Sequence, residues 1–208
     1  MEKNEVLDVI MKFARAIRET PKTNKKNPHY YFDDSENRLW SANYLLNQIL
    51  RQYYIDDKHI LVSKKAQELW EKIAIEPDIK RFNYRKTFTS KENIEIKMYS
   101  GAKNDGVTTL IREKQKVIWN DIFHDEHVIP IDTIIKRLVN EPELNYEKTK
   151  KILADIVICK MLKEENNVLD KKGYRTKRKE TVKQTIEDIY INECEIQIVG
   201  WEDKKNKL

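Results

Sequence analysis

The sequence has few of the residues that build covalent frameworks and nucleotide-binding loops. Only 2 of its 208 residues are cysteine and only 4 are glycine. Two cysteines, Cys159 and Cys194, are too few for a disulfide framework or a zinc site made of CxxC pairs, so we expect reduced core thiols. The loop at 100–106 holds two of the glycines but lacks the Gly-Lys-Ser/Thr ending of a P-loop, which excludes that class of site.

Long apolar runs are absent as well. No segment approaches the roughly 20 apolar residues that span a bilayer, and the charged residues 1–5 carry no secretory hydrophobic region. Charged residues make up 36% of the chain instead. These features predict a cytoplasmic protein without a membrane partner, with enough length for one buried core as a single domain, or for a core with a small accessory segment beside it.

Hydrophobic spacing divides the chain into a helical part and a mixed part. Apolar residues recur at helical intervals within residues 1–80, which we expect to form a helical N-terminal region. The expected helices there are 6–19, 39–54 and 63–77, the last beginning after Ser63 as N-cap. Alternation of apolar and polar residues then predicts short strands at 82–88, 94–99, 108–111 and 117–122.

The second half of the chain returns to helical spacing. The expected helices are 131–139, 146–159 and 163–170, and residues 181–199 should begin as a helix and end in a strand at 195–199. The predicted fold class is therefore α+β. The predicted organisation is a helical region at 1–80, a second domain at 81–200 and a flexible tail at 201–208.

The net charge of +5 is modest, but the basic residues are unevenly distributed. Residues 171–183 hold seven basic side chains against one acid, Glu180. Such a cluster suits a phosphate backbone, and a solvated loop is the plainer alternative. The residues expected to bind nucleic acid are Lys171, Lys172, Arg175, Lys177, Arg178 and Lys179.

One short stretch, residues 123–131, concentrates most of the candidate chemistry. It contains His124-Asp125-Glu126-His127 between two apolar segments. Neighbouring side chains of an extended strand point to opposite faces, so His124 and Glu126 should share one face and Asp125 and His127 the other. A bulge or tight hairpin here would bring Glu126 and His127 toward one centre.

Phosphodiester hydrolysis needs a base for the attacking water and a cation for the charge that grows on the phosphate. A histidine with a pKa of about 6.5 is neutral and basic at physiological pH, and Mg²⁺ prefers oxygen ligands. His127 and Glu126 could supply the base and a carboxylate. The plainer interpretation is a surface histidine with a salt link to its acidic neighbours.

The segment Glu126-His127-Val128-Ile129-Pro130, followed downstream by an asparagine-bearing helix at 161–169, resembles the HNH nucleases of the ββα-metal (His-Me finger) superfamily. The resemblance covers residues 119–173. Two departures are visible: the segment between Pro130 and Lys163 is longer than the compact family core, and the CxxC pairs of many members are absent.

The resemblance implies a β-hairpin-plus-helix (ββα-metal-like) nuclease core with additional helices, within residues 81–200. It also implies a metal-dependent endonuclease that acts on DNA with Mg²⁺, or else Mn²⁺, and that can work as a homodimer. The implied roles are general base for His127, metal ligands for Glu126 and Asn166, an alternative helix ligand for Asn167, and supporting positions for His124 and Asp125.

Two other functions fit the same residues. A non-catalytic nucleic-acid-binding regulator would use the basic cluster and the N-terminal helices, with residues 124–127 serving the structure alone. A protein–protein interaction module would use the charged surface without a nucleic-acid partner. Chelator-sensitive DNA cleavage separates the nuclease from the first alternative, and binding to a protein at high salt identifies the second.

Overall fold

The computed structural model describes residues 3–19, 31–33, 39–51, 59–99, 106–175 and 177–206. Helices and strands are mixed along the chain, which confirms the α+β class. The helices are α1 (Lys3–Glu19), α2 (Ala42–Arg51), α3 (Lys64–Ile73), α4 (Ile131–Asn140), α5 (Tyr146–Leu153), α6 (Lys163–Lys171), α7 (Val182–Gln184) and α8 (Trp201–Lys204). The strands are β1 (Tyr31–Asp33), β2 (Leu39–Ser41), β3 (Ile60–Val62), β4 (Thr87–Thr89), β5 (Ile94–Met98), β6 (Val107–Ile111), β7 (Lys116–Ile118), β8 (Phe123–His127) and β9 (Ile158–Leu162). None of the helices in the described part of the chain is long and apolar enough to cross a membrane.

The chain divides into two compact units, and both are discontinuous in sequence. The first contains residues 1–54 and 129–156, and the second contains 55–128 and 157–208. The predicted boundary near residue 80 lies within the second unit, which begins at Ile55; the chain then leaves this unit after Val128 and re-enters it at Val157.

The first unit is mainly helical. Helix α1 packs against α2, α4 and α5, and β1 pairs with β2 in an antiparallel ribbon. The residues of α4 that recur at helical spacing are buried: Ile131, Ile134, Ile135 and Leu138. This apolar stripe explains the helix, because its burial against neighbouring helices supplies most of the stability of a short helix.

The second unit is built around a three-stranded sheet with strand order β3-β9-β8. Strand β3 runs parallel to β9, and β8 runs antiparallel to it. Beside the sheet lies an aromatic core in which Trp119 stacks on Phe123 with ring centroids 4.4 Å apart. Trp70 and Phe88 complete this core, and both are fully buried. The ribbons β4–β7 and β5–β6 belong to the same unit.

A buried carboxylate joins two helix N-termini in this unit. Ser63 caps α3, as predicted, by accepting a hydrogen bond from the Ala66 amide. The Ser63 hydroxyl also donates to Glu165 at 2.5 Å, and the Leu162 amide donates to the same carboxylate at 2.9 Å. Burial nevertheless dominates and raises the pKa of Glu165 above its ordinary value of 4.5.

Several predicted boundaries are wrong. The helix expected at 146–159 ends at Leu153, and after residues 154–157 the chain forms β9, which is paired on both sides. Of the strand expected at 82–88 only Thr87–Thr89 forms, and the expected strand at 195–199 contributes one isolated bridge, Ser63 with Ile198. The expected tail begins with a helix whose Trp201 is 4% exposed, and residues 207–208 lie outside the described residues. The 100–105 part of the predicted loop also lies outside them.

Candidate active site on strand β8

Strand β8 is regular over its whole length. Its five residues pair one to one with β9, from Phe123 opposite Leu162 to His127 opposite Ile158. A bulge would break this register by placing two residues opposite one. The strand therefore keeps the alternation expected of it, with His124 and Glu126 on one face and Asp125 and His127 on the other.

The first face carries a chain of three polar side chains. His124 Nε2 lies 3.1 Å from Glu126 Oε2, and the guanidinium of Arg178 donates to Glu126 Oε1 at 2.6 Å. The exposed fraction of the side chain falls along this chain, from 33% for His124 to 15% for Glu126 and 2% for Arg178. The carboxylate is therefore held at both oxygens, while the imidazole reaches solvent.

The surroundings of Glu126 favour its charged form. Burial alone would raise the pKa of this carboxyl, but the hydrogen bond and charge of His124, together with Arg178, outweigh it and lower the pKa below 4.5. Cys159, opposite Glu126 on β9, is fully buried, and burial raises the pKa of its thiol well above 9.0. The thiol is thus neutral at physiological pH and serves as apolar packing under the carboxylate.

Arg178 is anchored in turn by a helix of unusual geometry. Its guanidinium carbon lies 5.9 Å from the ring centre of Tyr190, which is fully buried in the π-helix Thr185–Glu193. Extended π-helices are rare and occur frequently at functional sites. The buried Nε of Arg178 has no hydrogen-bond acceptor among the described residues.

The second face of β8 carries a closed ion pair. Lys160, opposite Asp125 on β9, donates to its carboxylate at 2.9 Å, and the two side chains are 4% and 13% exposed. The same ammonium donates to the carbonyl of Phe82 and lies 5.0 Å from the ring centre of Trp119. The other carboxylate oxygen accepts a hydrogen bond from the Tyr84 amide at 3.3 Å.

The residues that the HNH resemblance assigns to one site lie on β8 and on α6, a helix that contacts β8. Glu126 and His127 lie on opposite faces of β8, because the strand has no bulge. After His127 the chain enters α4 and α5, and only then does β9 pair with β8. Asn166 and Asn167 are half-buried on α6, which begins beside the Phe123 end of the strand.

The implied metal does not fit this arrangement of donors. Both oxygens of Glu126 already have partners, His124 and Arg178, and the cationic guanidinium would repel a metal ion at this carboxylate. Within the described ranges, no three His, Cys, Asp or Glu side chains are grouped where they could hold a metal ion.

The predicted basic cluster is exposed except for one member. The exposed side chains are Lys171, Lys172, Arg175, Lys177 and Lys179. Arg178 was predicted to bind nucleic acid from the surface, but its guanidinium is buried against Glu126. Two exposed lysines flank it directly in the chain, so the Arg178–Glu126 ion pair holds part of the cluster close to β8.

Sequence reasoning missed Lys160 and Tyr190. Lys160 had a detectable signal, since a single charge inside the apolar run Ile158–Leu162 indicates a buried pair. Tyr190 had none, because its position depends on the π-helical geometry of its segment.

The comparisons with known proteins add no relative. The chain matches no family model, no curated protein and no solved structure.

Proposed function

We propose that this chain is an endonuclease that hydrolyses phosphodiester bonds in DNA, with His124 as the residue that moves the proton. The observation that carries the proposal is the Arg178–Glu126 ion pair. It fixes the orientation of Glu126 toward His124 and, with the same side chain, ties the basic segment to β8. A proton acceptor and phosphate-binding cations are thereby linked by one contact.

The proton chemistry follows from the tautomer that this contact favours. When Nε2 of His124 carries the proton and donates it to Glu126, Nδ1 is a bare acceptor on a ring that reaches solvent. Nδ1 takes a proton from water while the water oxygen bonds to phosphorus. The bond from phosphorus to the leaving oxygen breaks, and that oxygen takes a proton from the imidazolium or from solvent.

Glu126 and the basic segment have separate roles in this scheme. The negative charge of Glu126 stabilises the imidazolium as it forms, and Arg178 keeps the carboxylate ionised and fixed. The exposed cations on either side of Arg178 attract the phosphate backbone. Dependence on Mg²⁺ or Mn²⁺ stays a prediction of the HNH resemblance, and no step above requires it.

The test is cleavage of supercoiled plasmid by the full chain, with Mg²⁺, with Mn²⁺ and with a chelator. The parent should nick the plasmid, and His124→Ala should lower the rate about 100-fold or more, the usual contribution of a general base. Plasmid binding in a gel shift should change little. His59→Ala removes a histidine that is not part of β8 and serves as the control.

Three results would overturn the assignment. One is a His124→Ala variant that cuts as fast as the parent. Another is that His127→Ala loses cleavage while His124→Ala cuts normally, which would assign the general base to His127 on the opposite face. The third is binding without cleavage in every metal condition, which would favour the non-catalytic nucleic-acid-binding alternative.

A further inference from the structure

The turn at residues 81–86 presents three cations and an exposed tyrosine on the surface of the second unit. Its sequence, Arg-Phe-Asn-Tyr-Arg-Lys, contains no acid. Arg81, Arg85 and Lys86 are exposed, and Tyr84 is 56% exposed. One exposed tyrosine is ordinary by itself, and the cations clustered around it are what make this surface a candidate for an anionic partner.

The turn is held by hydrogen bonds to the second face of β8, the face that carries Asp125. Lys160 donates to the carbonyl of Phe82, and Asp125 accepts from the amide of Tyr84. Phe82 points inward, with its ring centroid 4.7 Å from that of Trp70. The Asn83 side chain closes the turn by accepting from the Arg85 amide at 3.0 Å. Tyr84 is therefore presented outward by a fixed backbone, which lowers the entropy cost of binding through it.

The neighbouring ribbon extends the same surface. Strand β4 follows the turn directly and pairs with β7, so that Thr87 lies opposite Ile118 and Thr89 opposite Lys116. Phe88 and Val117 face the core, while Ile118 is 52% exposed and Lys116 is exposed. The surface thus combines one aromatic ring, an apolar side chain and four cations, which are Arg81, Arg85, Lys86 and Lys116.

The acids near this surface are already engaged. Asp78 lies 3.3 Å from Arg81, and Glu76 accepts hydrogen bonds from the amide and hydroxyl of Thr89. Arg85 donates to the Tyr84 hydroxyl at 2.7 Å, and its guanidinium carbon lies 5.1 Å from the ring centre. This contact orients the ring and leaves more than half of the residue in solvent.

We propose that this surface, defined by Arg81, Tyr84, Arg85, Lys86, Lys116 and Ile118, binds single-stranded nucleic acid. Phosphates meet the cations, and one unpaired base stacks on Tyr84. Proteins that bind single strands combine these two elements, a basic track and an aromatic ring that accepts any base. A duplex keeps its bases stacked inside the helix and cannot offer one to an isolated ring. The inference goes beyond the cleavage proposed above and does not depend on it.

The test is equilibrium binding of the full chain to fluorescent oligonucleotides, followed by anisotropy with a chelator present. The probes are oligothymidylate, oligouridylate and a duplex of equal length, with inorganic polyphosphate as competitor. A denaturing gel of each probe after the measurement reports cleavage separately, so failure of the nuclease proposal and failure of this one are distinguishable. Tighter binding of either single strand than of the duplex supports the inference, and the two probes show whether DNA or RNA is preferred.

Matched variants identify the surface. Tyr84→Ala should weaken single-strand binding about 5- to 150-fold, the range for loss of one stacked base. Tyr84→Phe should bind like the parent because the ring remains. Lys116→Ala should reduce the slope of log affinity against log salt by about 0.7, the value for one phosphate contact on a single strand. Tyr44→Ala, at a tyrosine 44% exposed in the other unit, is the control.

Three outcomes would overturn the proposal: Tyr84→Ala binds as tightly as the parent, the duplex binds as tightly as the single strands, or polyphosphate competes as well as an oligonucleotide of equal charge. The last result would reduce the surface to a general polyanion contact.

Discussion

The two faces of strand β8 carry similar residues and are built for different purposes. Each face buries an acid beside a cation: Glu126 with Arg178 on one, Asp125 with Lys160 on the other. On the second face the partners are cross-strand neighbours, so the sheet register itself places them. On the first face the cation comes from a segment that only tertiary folding brings to the strand.

The faces also differ in what remains accessible. On the second face every member of the ion pair is nearly buried, and its spare hydrogen bonds go to the backbone of the turn at 81–86. On the first face a histidine ring, 33% exposed, is attached to the buried pair. A closed pair can position a surface nearby, whereas an open one can exchange a proton with a bound substrate. We therefore expect changes on the two faces to have effects of different size on stability, on cleavage and on pH dependence.

The largest expected effect is on stability, from removing one cation on each face. Lys160→Met should lower the free energy of unfolding by about 5 kcal/mol, the upper end for an unpaired buried charge, because Asp125 loses its partner and the turn loses an anchor. Arg178→Met should cost about 3 kcal/mol, since Glu126 keeps His124. Urea unfolding followed by circular dichroism measures both.

Two further variants test whether the unpaired buried charge is the cause of the lost stability. Lys160→Met combined with Asp125→Leu should recover much of the loss, because no charge is then left buried. Lys150→Met, in the exposed pair with Glu147, is the control and should change stability little. The comparison of the faces fails if Lys160→Met is no more destabilising than this control.

The sequence was sufficient for the alternation of β8, because a period of two depends only on local backbone geometry. It was also sufficient for the Ser63 cap and for the apolar stripe of α4, which are local patterns as well. These predictions required no knowledge of which segments meet in the fold.

The partner of Glu126 could not be predicted in this way. Arg178 stands among six basic residues with equal claims to the surface, and only the packing of the π-helix distinguishes it from its neighbours. Residues 154–159 misled for a related reason: short apolar stretches fit a helix or a strand, and only the pairing of β9 on both sides places Ile158 and Cys159 in a strand.

The next effect is on cleavage, through the acids at adjacent positions of β8. Glu126→Gln should lower kcat about 100-fold. A neutral amide stabilises the imidazolium less well than a carboxylate does, and it accepts a weaker hydrogen bond from His124. Asp125→Asn should act mainly on KM, because it loosens the Tyr84 turn and not the histidine. Single-turnover and steady-state rates on an oligonucleotide substrate separate the two parameters.

The control for this pair is binding. Glu126→Gln should bind oligothymidylate like the parent, whereas Asp125→Asn should bind it more weakly. Equal changes of kcat in the two variants would mean that the two faces do not have separate roles.

The smallest expected effect is the pH dependence of stability. Glu165, a buried carboxylate that lies on neither face of β8, serves as the comparison for Glu126. The pKa of Glu126 is lowered in the folded protein, so its contribution is complete above 4.5 and declines as the pH falls through the folded value. The pKa of Glu165 is raised, so its contribution is present below 4.5 and declines as the pH rises through the folded value.

Urea unfolding from about pH 3 to about pH 8 tests both signs, with Glu126→Gln and Glu165→Gln as the variants. The stability advantage of the parent over Glu126→Gln should shrink toward acid, because a glutamine does not titrate. The advantage of the parent over Glu165→Gln should shrink toward neutral pH for the same reason. If the advantage of the parent over Glu126→Gln does not shrink toward acid, Arg178 and His124 do not hold Glu126 in its charged form, and the open face loses the feature that separates it from an ordinary buried acid.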